Sequence, residues 1–126
     1  MTTYRILIVE DEPLIAFDLA QSLADAGFHV VGIARDKEGA VAKAAQGGID
    51  LATMDVNLAN RDSGIDTAIA LRTGFGIPSL FVTSASQAVL SQIGHADPVG
   101  IIEKPAHPQD VIAAILRYFA VLGSPY

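Results

Sequence analysis

Hydrophobic positions along the chain gather into five short continuous runs, separated by longer amphipathic stretches. Ile6-Leu7-Ile8-Val9 is the first run, and it stops at Glu10-Asp11-Glu12 and Pro13. A run that is apolar at every position implies burial on both faces, as in a parallel sheet covered by helices. Pro13 suits the first turn of a helix, and Glu12 before it favours the positive end of the helix dipole. Ile15, Leu19 and Leu23 follow at intervals of four, predicting an inward stripe on a helix that Gly27 ends.

The alternation then repeats. Val30-Val31-Gly32-Ile33 predicts a second strand, and Ala40 to Ala45 an alanine-rich helix closed by Gly47-Gly48. Leu51-Ala52-Thr53-Met54 predicts a third strand, which runs into Asp55. The polar loop Asn60-Arg61-Asp62-Ser63-Gly64 leads into a helix carrying Ile65, Ala68, Ile69 and Leu71. Pro78 to Val82 predicts a fourth strand ending at Thr83-Ser84, and a short helix is expected from Gln87 to Ile93. Val99-Gly100-Ile101-Ile102 predicts a fifth strand ending at Glu103-Lys104-Pro105, and the last helix carries Val111, Ile112, Ile115, Leu116 and Phe119. Five strands alternating with five helices predict an α/β domain of (βα)5 type, a doubly wound five-stranded parallel sheet with right-handed crossovers.

Composition narrows the function classes. The 126 residues make one domain, expected over residues 1–122 with a short tail at 123–126. The absence of cysteine excludes disulfides, thiolate metal sites and thiol catalysis. Although 51% of residues are hydrophobic, no run approaches the ~20 residues of a membrane span. The opening Met1-Thr2-Thr3-Tyr4-Arg5 does not read as a signal peptide, so a cytoplasmic location is expected. A net charge of −6 argues against direct nucleic-acid binding, which needs a basic face.

Ligands of such sheets bind outside the carboxyl ends of the strands, so the residues standing there carry the chemistry. They are Glu10-Asp11 after strand one, Asp55 after strand three, Thr83 at strand four and Lys104 after strand five. Taken singly, each has an ordinary structural reading as a helix cap or turn residue. Together they place three carboxylates, a hydroxyl and an ammonium on one rim. Packed carboxylates repel unless a cation neutralises them, and an all-oxygen site suits Mg²⁺. A carboxylate can act as nucleophile toward phosphorus, with Lys104 and the metal balancing charge on the transferring group and Thr83 donating to a phosphoryl oxygen.

These residues, in this order, resemble the receiver domain of bacterial two-component response regulators, CheY-like members of the flavodoxin-like class. The resemblance spans essentially the whole chain. It implies that Asp55 accepts a phosphoryl group from a histidine kinase or histidine phosphotransfer protein. It also implies that Glu10, Asp11, Asp55 and the backbone carbonyl of Asn57 hold Mg²⁺, and that Thr83 and Lys104 act on the phosphoryl group. Lys104-Pro105 resembles the family's Lys-Pro, whose peptide bond is typically cis. The expected role is signalling through conformational change and contact with a downstream protein, without enzymatic turnover. A receiver fragment of a longer regulator, with a nucleic-acid-binding or enzymatic output domain, is the alternative. A small Mg²⁺-dependent acyl-phosphatase-like hydrolase is a third reading.

Several positions depart from the family pattern. Glu10 replaces the usual Asp, Ile101 replaces an aromatic, and Gly64 falls one position later after Asp55 than expected. Asn57 and Ala85 occupy positions that resemble the family's lifetime-tuning sites. A flavin site would need a Ser/Thr/Gly-rich loop after strand one, and no P-loop Gly-Lys-Ser/Thr is present. A haloacid-dehalogenase phosphatase would want Asp where Asn57 stands. His29, His95 and His107 lack ligand spacing and are expected at the surface or core edge. On the last helix, Val111, Ile115 and Leu122 are expected to face inward, leaving Ile112, Leu116 and one aromatic outside. With Val89, Leu90 and Ile93 they would form an apolar patch for a homodimer through the last two helices.

Overall fold

The computed structural model describes residues 3–84 and 86–122. Ala85 and residues 123–126, including the proposed tail, lie outside the described residues. The strands are β1 (Arg5–Val9), β2 (His29–Ala34), β3 (Leu51–Met54), β4 (Ser79–Thr83) and β5 (Gly100–Glu103). The helices are α1 (Pro13–Asp25), α2 (Lys37–Ala45), α3 (Gly64–Phe75), α4 (Gln87–Ile93) and α5 (Pro108–Leu122). All strand pairs are parallel, in the order β2-β1-β3-β4-β5.

The strand period of two divides the core between the two faces of this sheet. Ile6 and Ile8 of β1 join Ala16, Leu19 and Leu23 of α1 and Val111, Ile112 and Ile115 of α5. Leu7 and Val9 join Ala40 and Ala44 of α2, Ile65, Ala68 and Leu71 of α3, and Ile93 of α4. Tyr4 stacks on Phe119 with ring centroids 3.8 Å apart, fastening α5 beside the start of β1.

Local chemistry explains where the helices begin. Asp36 caps α2 by accepting from the Gly39 amide at 2.8 Å, and Ser63 caps α3 by accepting from Asp66. Each satisfies an amide that the first helical turn leaves without a partner. Gly76, at φ 68, takes the left-handed turn that ends α3. Glu12 does not cap α1 with its side chain.

Two apolar patterns misled. Full burial holds for the central strands, but β5 is an edge strand whose positions alternate, leaving Ile101 exposed. On α1, Ala16 rather than Ile15 joins Leu19 and Leu23 inside, while Leu14, Ile15 and Phe17 face outward. Spacing of four marks a stripe but not which of two adjacent residues heads it.

Candidate functional site

Between β1 and β3 the winding of the sheet reverses, which opens a crevice at the carboxyl ends of these strands. The backbone holds the residues there as extensions of the ladder. The Glu10 amide donates to Ala34 O, the Asp55 amide to Val9 O, and the Lys104 amide to Thr83 O, at 2.9–3.1 Å. Their side chains therefore start from fixed points on adjacent strands.

Lys104 sits between two carboxylates. Its Nζ lies 2.6 Å from Glu10 Oε1 and 2.9 Å from Asp55 Oδ2. The other Asp55 oxygen, Oδ1, accepts from the Val56 amide at 2.7 Å and from the Thr83 hydroxyl at 2.9 Å. Glu10 Oε2 accepts from the Glu12 amide at 3.2 Å. Burial pushes the Glu10 carboxyl up, and the neighbouring negative charge of Asp55 adds to the rise, against the pull of Lys104 and the Glu12 amide. Burial alone would lower the Lys104 ammonium, but hydrogen bonds to Glu10 and Asp55 outweigh it and hold the group above its ordinary value. The lysine is thus kept charged.

Glu10, Asp11 and Asp55 each present a carboxylate oxygen within 4.8 Å of the others. Three carboxylates against one ammonium leave two negative charges, the charge of one divalent cation. Hard oxygen donors in a small cluster fit Mg²⁺. Asp11 stands at the partly exposed side of the cluster, open to an ion arriving from water.

The loop after Asp55 is built around a close approach. A Cβ at Gly64 would collide with the Asp55 carbonyl oxygen, so only glycine fits there. The Gly64 amide donates to Val56 O at 2.6 Å, and Asn57 bridges to Ser63. The loop turns at Ala59–Arg61 in a 3-10 turn, where Asn60 (φ 61) and Arg61 (φ 58) are both left-handed. For a side chain such as Arg61 that conformation costs about 1–2 kcal/mol.

Five of the six residues singled out from the sequence meet here: Glu10, Asp11, Asp55, Thr83 and Lys104. Asn57 projects from the same rim with an exposed side chain. Thr83, expected to meet a phosphoryl oxygen, already donates to Asp55 and is 1% exposed. The Lys104-Pro105 peptide is cis. His29, His95 and His107 are exposed and apart from the site. The expected dimer patch is smaller than its sequence implied. Ile112 is 6% exposed and Ile93 fully buried, Val89 and Leu90 pack partly on the core, and Leu122 points outward. Phe119 lies inside on Tyr4, and Tyr118 is half-buried against it. Leu116 remains exposed as expected. The Val56 amide contact was not legible, because backbone donors leave no mark in sequence.

Residues 6–116 match the family described as the response regulator receiver domain. The phyllosphere-induced regulator PhyR of Methylorubrum extorquens is 38% identical over 114 residues, covering 88% of this chain and 42% of PhyR. The transcriptional regulatory protein PdtaR of Mycobacterium tuberculosis is 38% identical over 112 residues, covering 88% of this chain and 54% of PdtaR. This chain therefore spans about half the length of these relatives. Among solved structures, the receiver domain of Erythrobacter litoralis PhyR superposes with a TM-score of 0.85 at 28% identity, covering 100% of this chain and 97% of that one. Brucella abortus PhyR gives 0.78 at 34% identity, over 90% of this chain and 46% of that one.

Proposed function

Because the chain belongs to the response regulator receiver domain family, we propose that Asp55 is its phosphoacceptor, taking a phosphoryl group from a histidine kinase or histidine phosphotransfer protein. The observation that carries this reading is the Asp55 carboxylate, held at both oxygens by Val56, Thr83 and Lys104 on a rim shared with Glu10 and Asp11. A carboxylate oxygen of Asp55 attacks phosphorus, the bond from phosphorus to the donor's imidazole nitrogen breaks, and the imidazole leaves with a proton from solvent. Positioning and charge balance supply most of the catalysis in such transfers. Lys104 stays charged and follows the phosphoryl oxygens, and Thr83 moves its donated hydrogen bond from carboxylate to phosphoryl. Glu10, Asp11, Asp55 and the Asn57 carbonyl are the proposed holders of Mg²⁺, which when bound neutralises charge on the phosphoryl group.

Receivers are signalling domains, and phosphorylation acts through differential contacts in two states. With Ile101 at the aromatic position, those contacts run through Thr83 and Lys104 instead of a rotating ring. An apolar groove of about 650 Å³ between α1 and the start of α5, lined by Leu14, Ile15, Leu19, Pro105 and Val111, opens beside Lys104. It supports seating of the donor protein over α1. Exposed Ile101 and Leu116 support a second copy on the β5–α5 side. No helix among the described residues is long and apolar enough to cross a membrane; a cytoplasmic site of action is proposed on the receiver reading. Output through a further domain is the alternative, and the reading frame beyond Tyr126 decides it.

Phosphoramidate with Mg²⁺ is expected to add one phosphoryl group by intact mass, and none to Asp55→Asn. Equal labelling of both proteins would sink the assignment.

A further inference from the structure

The loop after Asp55 does more than close on itself. Its residues are bonded across to the β2–α2 connection at three places. The Ala59 amide donates to Arg35 O at 2.9 Å, Asn60 Nδ2 donates to Asp36 Oδ2 at 2.9 Å, and the Lys37 amide donates to Asp62 Oδ2 at 2.9 Å. Asp36 is shared, since its Oδ1 caps α2 through the Gly39 amide. The first turn of α2 is therefore satisfied partly by its own cap and partly by Asp62 from the other loop. Two consecutive left-handed non-glycine residues, Asn60 and Arg61, persist only where surrounding contacts over-determine them. These cross-loop bonds are the contacts that do so. Asn57 lies immediately before this fastened turn, between Val56 and Leu58, which are both buried in the core.

We propose that Asn60, Asp36 and Asp62 form a clamp of positioning residues. The clamp ties the β3–α3 loop to the start of α2 and thereby fixes the Asn57 peptide as a metal-holding group. The proposal rests on the receiver reading above and deepens it: metal affinity is set partly by residues that never touch the ion. Partners behind metal ligands commonly change affinity in this way.

The test is a Mg²⁺ titration of the full chain followed by amide chemical shifts, beside thermal unfolding of the same proteins. Asn60→Gly removes the amide that meets Asp36 while suiting the left-handed backbone. Asp36→Ser keeps a capping hydroxyl for α2 but withdraws the carboxylate oxygen from Asn60. Both variants are expected to fold and to raise the Mg²⁺ half-saturation concentration about threefold or more, less than the 10–100-fold of a partner bonded directly to a ligand. A smaller rise in either folded variant, whatever its melting temperature, overturns the clamp and leaves those bonds purely structural. Wild-type protein whose rim residues show no Mg²⁺-induced shifts would instead overturn the metal reading itself, so the two failures are distinct.

Discussion

Replacing Lys104 with methionine keeps the length of the side chain and removes the charge that lies between Glu10 and Asp55. The side chains of Lys104, Glu10 and Asp55 are 17%, 7% and 11% exposed, so solvent screens the loss only slightly. Breaking a buried pair in this way typically costs 3–5 kcal/mol. Here a proton sets a ceiling on the cost, because Glu10 can neutralise itself instead. Protonating a carboxyl with an ordinary value of 4.5 at pH 7 costs about 3.4 kcal/mol. The expected loss at pH 7 without divalent metal is therefore about 3 kcal/mol, or roughly 10–15 °C in Tm for a domain of this size. Glu10 already stands above 4.5 in the folded protein, and removing Lys104 raises it further. A group raised on folding contributes its stability below the unfolded value and loses it as pH climbs through the folded value. The Tm gap between wild type and Lys104→Met should thus be small at pH 4.5 and open toward pH 7, and Mg²⁺ should narrow it again. Circular dichroism melts at both pH values, with and without Mg²⁺, measure this. A gap of equal size at the two pH values would refute the shared-charge account.

Gly64→Ala is expected to destabilise by about 3 kcal/mol, the upper end for overpacking, since the new methyl meets the Asp55 carbonyl oxygen. Urea unfolding midpoints read this directly. Asp11→Ala should weaken Mg²⁺ binding more than Glu10→Gln does, because both Glu10 oxygens are already engaged, by Lys104 and by the Glu12 amide; equal titrations would count against it. Leu116→Glu, at a half-exposed position, should change stability by less than about 0.5 kcal/mol. In sedimentation with beryllofluoride it should remain monomeric while wild type dimerises.

The acidic rim was legible because strand ends are marked by a change from apolar to charged residues, and the sheet topology brings such ends together. Glu10, Asp55 and Lys104 could be placed without knowing a single contact. The start of α2 was less legible: its first turn, Lys37-Glu38-Gly39, carries no apolar stripe, so the alanine run placed the helix only from Ala40. The outward face of α5 was read wrongly because Ile112 and Leu122 both satisfy helical spacing, and tertiary packing chose between them. The clamp around Asn60 depends on two loops distant in sequence, and on left-handed backbone that asparagine tolerates but does not require.

Lys104, just after the last strand, is the only cation within hydrogen-bonding reach of Glu10 and Asp55 among the described residues, and this has a consequence for the order of folding. Lys104 lies 94 residues from Glu10 and 49 from Asp55 along the chain. Strands β1, β2 and β3 pair through contacts of shorter range, and closing longer loops comes later and more slowly. In a chain whose first three strands pair first, Glu10, Asp11 and Asp55 come together before Lys104 reaches them. During synthesis, that interval lasts until β5 and the residues after it leave the ribosome. In such a chain acid or divalent metal would relieve the carboxylates while they wait, whereas the docking of Lys104 itself gains most at neutral pH without metal; until β5 pairs, the sheet has an open edge at β4.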